Sequence, residues 1–247
     1  MVRQVAEAPV LSRRERARQA TIDEIKSVGR DLLAVDGENG VTIRAIAREM
    51  GMTAPAVYRY FTSHELLIRA LRADVFAEAA HAVLAGAADG AAHDDALRRL
   101  LDAARGLRNW ALSHRHEFSF VLGRSPVSPE AQEDQEAQDA GWVFGSAFAG
   151  LLCELWLQRP FRVPAESELS PELVHQLNGL RISRQLDVPV GAIAVMLSSW
   201  ARLHGVICLD VMGHLAFVLP NADAFFEYEL FRLCAELGMA DGYRPPR

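Results

Sequence analysis

The sequence predicts an all-α protein, with an amino-terminal helix-turn-helix domain followed by a larger helical domain. Three observations predict it. Apolar residues recur at helical rather than alternating spacing, hairpin signals between β-branched runs are missing, and turn-forming residues fall at intervals that leave helices between them. A chain of 247 residues, half of them hydrophobic, can bury a core in one or two domains. That composition excludes a largely disordered chain, and Gly 17 with Pro 11 excludes a collagen-like one.

Residues 1–17 read as a flexible basic arm, with Arg3, Arg13, Arg14 and Arg16, and Arg18 just beyond, against Glu7 and Glu15. A stripe of Ile22, Ile25, Gly29, Leu32 and Leu33 then predicts a helix that stops at Asp36-Gly37. Thr42 can cap a short helix whose inner side is Ile43, Ile46, Ala47 and Met50, and Gly51 supplies the left-handed residue that ends it. Thr53 caps a second short helix, with Pro55 in its first turn and Val57 and Phe61 inward. Each is expected to run about two turns, with the small Ala47 where they cross. The next stripe, Leu66, Leu67, Ala70, Leu71 and Val75, follows Thr62 and Glu65, which have the spacing of a capping box. The helix-turn-helix domain is thus expected over 18–70, and a larger helical domain over 71–247.

Beyond residue 80 more helix is expected, broken near Asp89-Gly90, Ser125-Pro126, Arg159 to Pro164, Ser170-Pro171, Pro189 and Pro220-Asn221. Ser128-Pro129 has the form of an N-cap with a first-turn proline. The carboxylates that follow, Glu130 to Asp139, read as a solvated helix start rather than a cation site. From Val190 to Gly213 only Arg202 and Asp210 are charged. The helix near Asn221 to Leu237 has the stripe Phe226, Leu230, Leu233, Cys234 and Leu237, with Phe225, Tyr228 and Phe231 on other sides. Such surplus apolar surface calls for a second copy, so a homodimer through 190–213 and 221–237 is expected.

The net charge of −6 hides an asymmetry: residues 1–75 carry twelve Lys and Arg against ten Asp and Glu, and the remainder fourteen against twenty-two. Any polyanion therefore meets the amino-terminal end. Three scattered cysteines, Cys153, Cys208 and Cys234, suit buried thiols in a reducing compartment rather than a disulfide framework or zinc site. No signal-peptide pattern opens the chain, and the apolar stretch Trp142 to Cys153 is too short to span a bilayer, so a cytoplasmic protein with no membrane partner is expected. A G-x-S-x-G elbow, Gly-rich phosphate loop, H-E-x-x-H or EF-hand loop is missing, so neither an enzyme nor a bound cofactor or metal is expected. One alternative is a metal or redox sensor built on His204 and Cys208, four residues apart on a helix. Another is a helical adaptor that uses the motif only for packing.

The run Thr42-Ile43-Arg44-x-Ile46-Ala47-x-x-x-Gly51-x-x-x-x-x-Val57-Tyr58-x-Tyr60-Phe61, followed by Glu65-Leu66-Leu67, resembles the DNA-binding domain of the TetR family of transcriptional regulators. Trp200-x-x-x-His204-Gly205 resembles the signature of its WHG-type subgroup. The resemblance implies an all-helical homodimer, with a helix-turn-helix at each end and a ligand cavity in each body. Ligand binding would move the reading heads apart and release the DNA. Carried over by position, Arg44 would reach a base edge or nearby phosphate, and Thr42, Tyr58 and Tyr60 would bond phosphates. Thr53, Ala54 and Pro55 would face the major groove, and Arg59 is left for outside contact. His64 stands where the family often has Lys, which would make a phosphate contact there weaker and pH-dependent.

For the effector, Phe118, Phe120, Leu122, Trp142, Phe144, Phe148, Leu152, Trp156 and Trp200 offer an aromatic and aliphatic wall. His114, His116, His175 and His204 are the possible polar anchors. The set suits a small apolar or aromatic molecule, with core packing the alternative role for each residue. His204 in particular would bond either the effector or a backbone carbonyl.

Overall fold

The computed structural model describes residues 12–89, 95–122 and 135–246, which hold ten α-helices and no strand. The chain divides into two compact units, residues 1–72 and 73–247.

In the first unit α1 (Arg13–Asp36) starts earlier than the sequence reading had it. Ser12 accepts from the Glu15 N–H at 3.2 Å, and the Glu15 carboxylate takes the Ser12 N–H at 2.8 Å. This reciprocal cap carries the helix back through Arg13, Arg14 and Arg16, which are exposed on its first turns rather than in a flexible arm. Residues 1–11 lie outside the described residues. The helix buries Ile25, Gly29 and Leu33. A Cβ on Gly29 would stand 3.0 Å from Leu71 Cδ1 and 3.6 Å from Ile46 Cδ1, so glycine there lets α1 settle against both.

Two short helices follow, α2 (Ile43–Glu49) and α3 (Ala54–Tyr58). The second is shorter than expected, and Phe61 is buried from beyond its end. Next comes α4 (His64–Asp89). Its cap is displaced by one residue from the expected Thr62–Glu65 pair: the Ser63 hydroxyl accepts from the Leu66 N–H at 3.2 Å, while Thr62 is exposed. The hydroxyl residue directly before the first helical residue takes the orphan donor, and the helix begins at His64.

The second unit is built from the rest of α4 and from α5 (Ala96–Ser113), α6 (Arg115–Val121), α7 (Gln135–Gln158), α8 (Pro171–Ser183), α9 (Val190–Val211) and α10 (Asp223–Glu236). Asp95 caps α5 and Ser170 caps α8, with Pro171 as its first residue. The expected breaks at Gly90 and Ser125-Pro126, and the Ser128-Pro129 helix start, lie outside the described residues. Two arginines of α5 tie the unit together. Arg108, itself buried, donates to Asp210 of α9 at 2.7 and 3.0 Å and to Asp223 of α10 at 2.7 Å, with Phe226 beneath its guanidinium. Arg105 grips Glu227 of α10 with two N–H groups at 2.7 and 2.9 Å.

The longest apolar stretch is not Trp142 to Cys153 but α9, the one helix among the described residues long and apolar enough to cross a membrane by length and composition. Its two charges are committed within the unit, Asp210 to Arg108 and Arg202 to Glu229 and Glu236. It buries Val190, Ile193, Met196, Val206, Ile207 and Val211.

The α4–α5 crossing leaves no room for side chains. A Cβ on Gly106 would stand 2.6 Å from the Ala82 carbonyl oxygen, and one on Gly86 would collide with the Asp102 carbonyl. Gly86→Ala should therefore destabilise the protein by about 1–3 kcal/mol in urea unfolding, the usual range for overpacking. Gly150→Ala, which meets open space on α7, should be neutral or stabilising.

Candidate nucleic-acid interface and ligand cavity

In α2 and α3 the inward positions are filled, and what remains outward is chemically distinct. Ile43, Ile46, Ala47, Val57 and Phe61 are buried, while Thr42, Arg44, Thr53, Pro55, Tyr58 and Arg59 are exposed and Ala54 half-buried. The Thr42 hydroxyl accepts from the Ala45 N–H at 3.1 Å and sets the start of α2. The turn between the helices runs through Gly51 at φ +64°, a conformation that costs any other residue, with Met52 N–H donating to the Ala47 carbonyl at 2.8 Å. Thr53 stands at the start of α3 with extended backbone, but its hydroxyl makes no capping bond. Tyr58 keeps 46% of its surface in solvent, which places it outside the core.

Two of the expected DNA-contact residues are engaged inside the head. Tyr60 is half-buried, with the Arg18 guanidinium 5.8 Å from its ring centroid, a contact of the cation–π type. His64 has Nε2 2.7 Å from the Val41 carbonyl oxygen, so that nitrogen carries the proton and donates. Only Nδ1 is left to face a phosphate, and in the neutral ring it is an acceptor. A phosphate bond there requires the imidazolium.

The second unit holds an apolar cavity of about 50 Å³ among α5, α7, α9 and α10. Leu97, Leu101 and Ala104 face it from α5, Phe148 and Leu152 from α7, and Met196, Trp200 and Leu203 from α9. Leu230, Leu233, Cys234 and Leu237 complete the wall, and Ser199 supplies the hydroxyl. Of the aromatic and aliphatic wall read from sequence, Phe148, Leu152 and Trp200 line this cavity. The others lie elsewhere. Phe118 and Phe120 are buried on α6, Trp142 sits under the Arg184 guanidinium at 4.6 Å, and Trp156 meets Phe161 edge-on at 5.0 Å. The stripe Leu230, Leu233, Cys234 and Leu237, read as core and dimer helix, is a cavity wall. Its helical spacing was the available signal, but spacing does not say whether a filled face meets side chains or space.

His204 stands behind Trp200, stacked on it at 5.0 Å between ring centroids, in a file that continues to Phe144 on one side and Phe118 on the other. Its Nε2 lies 3.3 Å from Cys208 Sγ, and its buried Nδ1 has no hydrogen-bond partner. Burial pushes the imidazole below its ordinary value, opposed by the Leu122 carbonyl. His114 is occupied structurally, stacked on Trp110, with Nδ1 3.0 Å from the Trp110 carbonyl oxygen and Nε2 3.6 Å from Glu78. His116 and His175 are exposed. No third His, Cys, Asp or Glu among the described residues joins His204 and Cys208 in a metal-binding group. Burial pushes all three thiols up, Cys234 to about 11, so they stay protonated and unreactive near neutral pH.

The His204 environment makes stability depend on pH. With the folded value below the unfolded one, the unfolded chain binds the extra proton, so stability present above the unfolded value near 6.5 is lost as pH falls through the folded one. The melting temperature should fall between pH 7 and 5.5, and His204→Phe should flatten that fall.

Comparison with known proteins matches this division. Residues 25–71 match the family model of bacterial regulatory proteins of the tetR family, and residues 100–233 that of the tetracyclin repressor-like C-terminal domain. An HTH-type transcriptional regulator of Mycobacterium tuberculosis is 31% identical over 230 residues, spanning 92% of this chain and 96% of the relative. Among solved structures, the regulatory protein SCO4313 is 27% identical, with a TM-score of 0.65 over 91% of this chain and all of that one. RolR, solved with the ligand resorcinol, shares the fold at 15% identity and a TM-score of 0.57, covering 92% of this chain and 93% of its own.

Proposed function

The chain belongs to the TetR family of bacterial regulatory proteins and is a DNA-binding transcriptional regulator, and on that premise we propose that it is a cytoplasmic repressor released from its operator by a small, mostly apolar molecule. The observation that carries the reading is the pairing of an exposed Arg44–Tyr58 face in the first unit with an apolar cavity in the second. Family members bind DNA, dimerise and bind small molecules. A two-fold head pair reads a near-palindromic duplex, with half-sites one helical turn or a multiple of it apart. Arg44 would contact a base edge or phosphate, Thr42, Tyr58 and Tyr60 phosphates, and Thr53, Ala54 and Pro55 the major groove.

The cavity wall of leucines, Phe148 and Trp200, with one serine hydroxyl, selects an apolar or aromatic effector. Its volume of about 50 Å³ is far below the several hundred Å³ that small-molecule sites commonly enclose. An effector of that size has to push the surrounding helices apart. Such packed walls yield by switching arrangement rather than by stretching, and that gives the ligand a means of changing the affinity for DNA. His204, one ring behind Trp200, becomes a polar anchor if Trp200 swings aside.

The dimer would form through α9 and α10, which leave Leu197, Leu209 and Tyr228 each with more than two-fifths of their surface exposed. Phe231 is also exposed, but it packs edge-on against Tyr243 of its own chain at 5.6 Å. Leu209 is the cleaner probe.

On operator fragments selected from genomic DNA, Arg44→Ala should relax base preference and cost about 1–3 kcal/mol. Tyr58→Phe should weaken binding by a similar factor on all sequences. An Arg44→Ala protein with unchanged affinity and unchanged base preference would remove Arg44 from the interface. Leu209→Glu should shift sedimentation from dimer to monomer, because a buried carboxylate without a partner cannot remain in an apolar contact. Circular dichroism of the same variant should stay helical.

A further inference from the structure

A second cavity in the second unit has chemistry opposite to the first. Along α5, Arg98, Asp102, Arg105 and Asn109 recur every three or four residues and so share one face. They line a cavity of about 450 Å³, together with Leu101, which lines both cavities. Gly86 and Gly106 border it where α4 and α5 cross without side chains, and Gly242, Arg244, Pro245 and Pro246 border it from the carboxyl-terminal segment.

That segment is anchored. The Tyr243 hydroxyl donates to Glu227 at 2.7 Å, and Arg105 donates to the Arg244 carbonyl at 2.8 Å. The cavity is therefore held open by specific bonds at its rim, and its volume is that of a small-molecule site.

The charges inside it do not balance. Three guanidinium groups line it against one carboxylate, Asp102. Arg105 is saturated by Glu227 and by Asp102 at 2.8 Å. Burial works against its charge, yet those two carboxylates hold it protonated. Asp102 is thereby shared: its other oxygen forms an ion pair with Arg98 Nε at 3.8 Å, too long for a hydrogen bond. Arg244 donates through Nη1 alone, to the Asp241 and Tyr243 carbonyls at 2.6 and 2.8 Å. With Glu227 counted behind Arg105, one positive charge is left over, on the guanidinium edges of Arg98 and Arg244. Leu101, Pro245 and Pro246 add apolar wall, and Asn109 an amide.

We propose that this cavity is a second small-molecule site, separate from the apolar one, and that it takes a small organic anion. The carboxylate would pair with Arg98 and Arg244, and a compact apolar body would lie against Leu101 and the two prolines. Guanidinium groups suit this role because their planar fork meets both carboxylate oxygens. The inference is independent of the operator and of the effector of the apolar cavity.

The test uses the full-length protein with benzoate, and with benzamide as an uncharged molecule of the same shape. Benzoate should raise the melting temperature and bind in calorimetry with an affinity that falls as salt rises, and benzamide should do neither. The Arg98→Gln/Arg244→Gln double variant should lose at least tenfold in benzoate affinity, and Arg98→Lys should keep part of it. In the unaltered protein, benzoate should slow amide exchange along 98–109 and 242–244 and leave 196–203 unaffected, a readout that holds even if the double variant fails to fold. Equal binding of benzamide, protection confined to 196–203, or no benzoate binding at about 10 mM, where a millimolar site is filled, would overturn the proposal.

Discussion

A guanidinium taken out of water must find carboxylates, and the second unit is organised around the place where Arg108 finds them. Its partners come from two other helices, Asp210 of α9 and Asp223 of α10, so three helices are fixed at one point. Arg105, one turn earlier, repeats the arrangement with Glu227. Buried ion pairs contribute little net stability because desolvation offsets most of their attraction, but they are intolerant of displacement. Their effect here is to hold α5 in one register against α9 and α10, and the shape of both cavities follows from that register.

Helix α5 consequently separates two environments. Its Leu97, Leu101 and Ala104 border a space whose lining is apolar but for the Ser199 hydroxyl, and its Arg98, Asp102 and Arg105 border one edged by charge. A ligand in either space acts on the same helix. The apolar space is small as it stands, so filling it means displacing side chains of a packed core, whereas the charged space has room already. If both spaces take ligands as proposed, rearrangement on binding would belong to the first more than to the second.

In the first unit the outward chemistry is a by-product of complete inward packing. Gly29 lets α1 approach Ile46 and Leu71, Gly51 turns the chain between α2 and α3, and Ile43, Ile46, Ala47 and Val57 close the interior. Nothing is left for Arg44 and Tyr58 to do inside. Short helices that are marginal alone become rigid when every inner position is packed, and rigidity is what holds a base-reading side chain in register. The same packing recruits Tyr60 and His64 partly for internal work, the first under Arg18 and the second on the Val41 carbonyl.

The helical class, the helix-turn-helix with its glycine turn, the stop at Asp36-Gly37 and the apolar character of the last two helices were all legible in the sequence. Each depends on residues close together in the chain: a period, a cap or a breaker. Where two neighbouring hydroxyls competed for one cap, as Thr62 and Ser63 did, local pattern pointed one residue off, and the Ser12–Glu15 cap was hidden in a segment whose charge suggested an arm. The positions of Phe118, Trp142, Trp156 and His204 relative to the cavity were beyond its reach. A buried aromatic has the same helical spacing whether it meets a neighbour or a void, and only the packing of helices distant in sequence decides which. The carboxylates of α9 and α10 that meet Arg105 and Arg108 lie more than one hundred residues away in the chain, so the register that shapes both cavities exists only in the tertiary structure.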